Sequence, residues 1–107
     1  MTRWLPQEVT ETLKKTRRIH HGAAFNICVA PQQKERARLL VVTSRKVGNA
    51  VERNLLRRRI KALFYEEKTY LKGFDWIIFC KKEATKLYFP DLKKILLGCS
   101  RALSDGS

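Results

Sequence analysis

Apolar residues in short runs along the chain predict the strands of one sheet. In residues 17–30, large apolar side chains alternate with Asn26 and Cys28, which indicates a half-buried strand within an extended segment. Residues 39–43 form a short β-branched run, which predicts a further strand antiparallel to the first. The run WIIFC, residues 76–80, is apolar throughout and predicts a central strand of the sheet.

Helix signals occur near both ends of the chain. Pro6 suits a first helical turn and predicts a short helix over residues 6–15. Pro90 and Asp91 open a last helix, and residues 104–107 are expected to form a disordered tail. With a long helix in the middle, the order is helix, two or three strands, long helix, strand, helix. This order predicts one α+β domain over residues 1–107, with an ordered core over about 5–103.

The longest predicted helix lies in the middle of the chain. Gly48 ends the preceding strand, and Asn49 with Glu52 three residues later forms a capping-box pattern. We expect this helix to run to about Leu71, with Gly73 after its end. At about 100° per residue, its apolar positions share one sector. This sector predicts a buried stripe of Leu56, Ile60, Leu63 and Phe64.

A row of like charges runs beside this stripe at four-residue spacing, formed by Arg53, Arg57 and Lys61. A solvated helix normally mixes charges of both signs, and here no acidic residue is interleaved. Asn54 and Arg58 lie next to the row, whereas Arg59 points elsewhere. Arginine binds phosphate through two hydrogen bonds and stacks on bases, so the row is a candidate phosphate-binding surface.

The whole chain shares this excess of positive charge. Its 23 basic and 10 acidic residues give a formal net charge of +13 over 107 residues. Such an excess destabilises a compact monomer by self-repulsion, which a polyanionic partner relieves. Nucleic acid is the first candidate, and an anionic membrane surface is the second.

Other kinds of chemistry are weakly indicated. The acidic residues are scattered, and the adjacent His20 and His21 point to opposite faces of a strand, so we assign no catalytic or metal-binding residue. Cys28, Cys80 and Cys99 are odd in number and widely spaced, which favours reduced thiols over a disulfide or a metal site. No apolar run resembles a signal peptide or a membrane span, so we expect a cytoplasmic protein.

The segment SRKVGNAVERNLLRRRIKALF, residues 44–64, resembles the signature of the protein subunit of bacterial ribonuclease P. The likeness covers about residues 5–103. It implies an α/β sandwich of α-β-β-β-α-β-α order with a left-handed β-α-β crossover, similar to a ribosomal-protein domain. It also implies a protein that binds a catalytic RNA and the 5′ leader of precursor tRNA, while the RNA carries the active site and bound Mg²⁺. No cofactor is expected on the protein itself.

The resemblance assigns residues to separate RNA contacts. The catalytic RNA is expected to contact Arg45, Lys46, Arg53, Asn54, Arg58 and Arg59. The leader cleft, between the sheet, the first helix and the long helix, is expected to be lined by Val9, Leu13, Arg57 and Lys61. Further RNA contacts are expected at Arg17 and Arg18.

The chain departs from the family pattern at several of these positions. Leu55 follows Arg53 and Asn54 where the family's Arg-Asn-Arg motif has a second basic residue. Val9 and Leu13 replace two aromatic residues of the first helix, which removes base stacking there. On the strand side, Cys28 is a candidate to face the cleft.

Three other classes of protein compete with this interpretation. A ribosomal or other structural RNA-binding protein of similar fold would lack the specific segment of residues 48–54. A DNA-binding helix-turn-helix module needs a short helix before the basic one, but the pattern of residues 39–46 predicts a strand. A membrane-active protein needs a wide apolar face, rich in Trp or Phe, opposite its charges, and the basic helix lacks such a face. The partners that the resemblance implies are the catalytic RNA and precursor tRNA, and no DNA or membrane partner is expected.

Overall fold

A computed structural model of the protein describes residues 6–32, 35, 37–67 and 73–105. In chain order its elements are α1 (Pro6–Lys15), β1 (Arg17–His21), β2 (Phe25–Pro31), β3 (Leu39–Val42), α2 (Ala50–Glu66), β4 (Phe74–Cys80), a short 3₁₀ helix (Lys82–Lys86) and α3 (Phe89–Asp105). The predicted order of helices and strands and the α+β class are confirmed. The predicted bounds of α1 are those of the structure.

The four strands form one mixed sheet in the order β1-β2-β4-β3. β2 pairs antiparallel with both β1 and β4, and β3 pairs parallel with β4. The apolar strand β4 is therefore internal, as predicted. β3 runs antiparallel to β2, also as predicted, but β4 lies between them. Because α2 connects the parallel neighbours β3 and β4, these three elements form a β-α-β unit. The left-handedness of this crossover stays a prediction.

The two faces of the sheet are covered by different helices. On one face, the Phe64 ring of α2 meets the Trp76 ring edge-on, with centroids 6.4 Å apart. Asp75, the neighbour of Trp76 in β4, points to the opposite face because side chains alternate along a strand. There its carboxylate binds Arg38, which also binds Glu8 of α1. α1 and α2 therefore lie on opposite faces of the sheet.

The hydrophobic core lies on the α2 face. The four residues of the predicted stripe are all buried, as expected: Leu56, Ile60, Leu63 and Phe64. α3 completes this core with Leu92, Leu96, Cys99 and Leu103. Removing a side chain of this size from water contributes ~1.5–3 kcal/mol. The core thus fixes α2 by its apolar stripe and leaves the basic row at its side.

The ends of two helices differ from their predicted positions. α2 ends at Glu66, short of the predicted end near Leu71, and the Glu67 N–H bonds back to carbonyl oxygens of the last turn. Carboxylates at the negative end of a helix, with no basic residue in its last turn, disfavour further extension. Residues 68–72 lie outside the described part of the chain. α3 continues to Asp105, so Ser104 and Asp105 belong to a helix and not to the predicted tail.

Candidate RNA interface

The start of α2 is fixed by the predicted capping box. The Asn49 Oδ1 atom accepts a hydrogen bond from the Glu52 N–H at 2.8 Å, and Glu52 Oε1 accepts one from the Asn49 N–H at 3.1 Å. Gly48 allows this close approach, since a Cβ there would lie 3.0 Å from Glu52 Oε1. A defined helix start determines the direction in which every following side chain of α2 projects.

The basic row lies along one side of α2. Its members Arg53, Arg57 and Lys61 are all half-buried, while Asn54 and Arg58 beside them are exposed. Among the described residues, no carboxylate forms an ion pair with any of the three. Instead, Arg57 Nη1 donates to Asn54 Oδ1 at 3.1 Å. Three cations on a fixed helix, with no acidic partner in the described part of the chain, are suited to bind the phosphates of an anionic strand.

The other basic residues predicted to contact RNA are distributed around α2 and β1. Arg45 and Lys46 are exposed in the turn that leads into α2. Arg17 and Arg18 are exposed on β1, an edge strand of the sheet. Arg59 lies on the other side of α2 from the basic row, as predicted.

Arg59 lines a shallow groove between α2 and the 3₁₀ helix. The other residues of this groove are Glu52, Leu55, Leu56, Ala84, Thr85 and Leu87. Leu55 is 42% exposed there. Arg59 is therefore separated from the basic row by the outer face of α2.

A bulge in β1 alters the face to which its residues point. Arg18 pairs with Cys28, but His20 and not Ile19 pairs with Ile27, which shifts the register by one residue. As a result Arg18 and His21 share a face, and Arg18 Nη1 lies 3.3 Å from His21 Nδ1. The alternation expected for an ideal strand does not reveal this irregularity. It places His21 instead of His20 on the face that carries Cys28.

The face of the sheet opposite the core is partly open. Cys28 is half-buried there and pairs with the fully buried Ile77 of β4. Val9 of α1 is half-buried, and Leu13 is 39% exposed. Cys28 is therefore on the α1 side of the sheet, where a cleft was expected.

These arrangements identify a basic helix side and, on the opposite face, an open sheet surface beside α1. Comparison with known proteins relates this fold to a family. The ribonuclease P family model matches residues 6–103 of the chain. The chain belongs to that family.

Relatives among ribonuclease P protein components support the assignment. The component from Bacillus velezensis is 44% identical over 66 residues, which cover 62% of this chain and 56% of the relative. The chain thus matches little more than half the length of that relative. The component from Petrotoga mobilis is 36% identical over 84 residues, which cover 74% of this chain and 71% of the relative. The ribonuclease P protein structure from Thermotoga maritima matches with a TM-score of 0.77 at 22% identity, over 92% of this chain and 93% of that chain, and shows the same fold.

The two helices expected to line the leader cleft lie on different faces of the sheet. The cleft was expected to lie between the sheet, the first helix and the long helix, with Val9 and Leu13 on the first helix and Arg57 and Lys61 as its basic wall. Because α2 packs on the core face, its basic row and the α1 residues do not face each other across one surface of the sheet. Arg57 instead lies close enough to Cys80, at the end of β4, for its charge to act on that thiol. The binding roles of all these residues stay predictions.

Cys28, Cys80 and Cys99 are free thiols. Burial raises the pKa of Cys80 to about 12, and the positive charge of Arg57 lowers it by a smaller amount. Burial also raises the pKa of Cys99. Within the described ranges, no group of three His, Cys, Asp or Glu side chains could hold a metal ion. None of the helices described has the length and apolar character that a membrane span requires.

Proposed function

We propose that this protein is the protein component of a ribonuclease P ribonucleoprotein that removes the 5′ leader from precursor tRNA. The catalytic RNA supplies the active site together with its Mg²⁺, and the protein side chains take no part in the chemistry. The protein binds the catalytic RNA and the leader of the substrate in the cytoplasm. Family membership supports this role, as do the excess positive charge and the basic side of α2.

The observation that carries the proposal is the basic row beside a capped helix start, since no carboxylate of the described residues forms an ion pair with its members. The capping box places Arg53 at the end of the first helical turn and Asn54 at the start of the second, at the positions that match the family's Arg-Asn-Arg motif. Asn54 and Arg58 are exposed on α2, and Arg53 is half-buried beside the apolar stripe. A phosphate chain laid along this side meets several donors that no carboxylate of the described residues neutralises.

The substrate leader is proposed to bind the open sheet face beside α1. Val9, Leu13 and Cys28 provide its less polar surface, and Arg18 provides a positive charge on the same side. Arg57 and Lys61 are proposed to contact the substrate from the basic side of α2. Because Val9 and Leu13 replace aromatic residues, charge contributes more to leader binding than base stacking does.

Reconstitution tests the proposal directly. The full-length protein is combined with the catalytic RNA of its own host and assayed on a precursor tRNA at low Mg²⁺. We expect cleavage at the leader junction by the complex and none by RNA-free protein, while the RNA alone regains some cleavage at high Mg²⁺. Cleavage by the purified protein alone, or failure of the protein to stimulate the RNA, would contradict the proposal.

A further inference from the structure

The first helix is held on the sheet with little apolar burial. Of the ten residues in α1, Thr12 is the one that is buried. Val9 is half-buried and Leu13 is 39% exposed. By contrast, α2 buries four large apolar side chains. Apolar packing therefore contributes much less to the seating of α1 than to that of α2.

A buried ionic cluster connects α1 to the sheet instead. Arg38 Nη1 donates to Glu8 Oε2 at 2.7 Å, and Arg38 Nη2 donates to Asp75 Oδ2 at 3.0 Å. The Arg38 backbone N–H also donates to Asp75 Oδ1 at 2.8 Å. The side chains of Arg38 and Asp75 are 2% and 0% exposed, and that of Glu8 is 17% exposed. One guanidinium thus joins residues that are far apart in the chain.

Two members of the cluster are held by the sheet, and the third belongs to α1. Arg38 directly precedes β3, and its own carbonyl accepts a hydrogen bond from the Trp76 N–H at 2.8 Å. Asp75 lies within β4, so Arg38 and Asp75 are both held by the sheet. Glu8 is the member that belongs to α1. Loss of its carboxylate therefore removes the ionic contact of α1 while the contacts between Arg38 and Asp75 remain.

We propose that Arg38 is a positioning residue for the substrate surface of this protein. Through Glu8 it sets the place of α1 beside the open sheet face, and so the width of the surface available to the leader. This inference rests on the proposed function, because it assigns a task to α1 within the leader-binding site. Arginine suits the task since its planar fork can bind two carboxylates at once, which the single ammonium of lysine does with poorer geometry.

The decisive variant is Glu8→Ala, with Glu11→Ala as its matched control. Both substitutions remove one negative charge from α1 and introduce a good helix former. Glu11 is exposed, and none of the ion pairs of the described residues includes it. Any effect of net charge on RNA affinity is therefore shared, whereas release of α1 from the sheet is confined to Glu8→Ala.

The first readout is amide hydrogen exchange of residues 6–15 in the free, full-length protein. Glu8→Ala should speed exchange in α1 relative to Glu11→Ala and leave exchange in β4 and α2 unchanged. This measurement is independent of RNA. Equal exchange in the two variants would overturn the seating role of Arg38, whatever the protein binds.

The second readout is binding by the complex with the catalytic RNA. Glu8→Ala should lower affinity for precursor tRNA about three- to tenfold relative to Glu11→Ala, in keeping with the loss of a few contacts. Affinity for mature tRNA and assembly with the catalytic RNA should change less than about twofold. Faster exchange in α1 with unchanged precursor binding would overturn the link to substrate. Failure of the wild-type complex to prefer precursor tRNA would instead contradict the proposed function.

Discussion

Arg57 donates a hydrogen bond from its guanidinium to the side-chain oxygen of Asn54, 3.1 Å away and one turn earlier on α2. Asn54 belongs to the motif assigned to the catalytic RNA, and Arg57 to the residues assigned to the leader. The bond therefore connects a residue expected to contact the catalytic RNA with one expected to contact the leader. From the sequence alone, the two groups of residues differ only in their position along the helix. It also orients the Arg57 guanidinium before any ligand arrives.

Removing this bond should show the coupling. Asn54→Ala is expected to weaken assembly with the catalytic RNA and also to lower precursor affinity, because Arg57 loses its orientation. In a double-mutant cycle with Arg57→Ala, we expect a coupling of ~0.5–1 kcal/mol in precursor binding. Additive effects, within about 0.3 kcal/mol, would show that the two side chains act independently.

The two ends of the basic row should serve different ligands. Arg53→Ala is expected to weaken assembly with the catalytic RNA, whereas Lys61→Ala should leave assembly nearly intact and weaken precursor binding. Mature tRNA has no leader, so its affinity should be insensitive to Lys61→Ala. A plot of the logarithm of the binding constant against the logarithm of the salt concentration has a slope that reflects the number of phosphate contacts. Each lost contact should reduce the magnitude of this slope by about 0.7 if the strand is single. Equal weakening of precursor and mature tRNA by Lys61→Ala, measured over a salt series, would refute the leader assignment.

The sequence predicts α2 and its surroundings well because several local signals coincide there. The capping residues, the apolar stripe and the basic row all follow from the spacing of side chains on one helix. The positions of α1 and α2 on opposite faces depend on long-range pairing, which no local pattern encodes. The same reason explains why the sequence does not predict the Arg38 cluster, since Glu8 and Asp75 lie 30 and 37 residues from Arg38 along the chain. The β1 bulge was missed because the alternation rule assumes a regular register.

The capping box should contribute measurably to stability. Asn49→Ala removes the acceptor for the Glu52 N–H and is expected to lower the free energy of unfolding by about 1 kcal/mol. Ser44→Ala is a suitable control, because Ser44 is an exposed residue in the same connection whose backbone carbonyl, not its side chain, bonds Val47. Urea unfolding of both variants measures the difference. A loss no larger than in the control would mean that the cap is replaced by water at no cost.

The raised pKa values of the buried thiols predict slow alkylation of the folded protein. They also predict that the folded state loses stability at alkaline pH. In a Cys28→Ser variant at pH 8, Cys80 with its pKa of about 12 should be alkylated far more slowly than in the unfolded chain, because the thiolate is the reactive form. The pKa of Cys80 in the folded state lies above its ordinary value of 9.0, so its contribution to stability is complete below pH 9.0 and is lost as pH rises toward about 12. Arg57→Ala should slow alkylation of Cys80 further, since it removes the charge that lowers this pKa. Faster labelling in that variant would contradict the assignment.

Polyanions should stabilise the free protein through the basic side of α2. With a net charge of +13 and no acidic partner among the described residues for Arg53, Arg57 or Lys61, the folded state is expected to bind anions better than the unfolded chain. A ligand present at 100 times its dissociation constant raises stability by about 2.7 kcal/mol. Pyrophosphate at low concentration, compared with chloride at equal ionic strength, separates binding from general salt effects. The thermal midpoint should rise with pyrophosphate in the wild type and rise much less in a variant with all three residues replaced by alanine. The same rise in both proteins would place the anion site elsewhere on the surface.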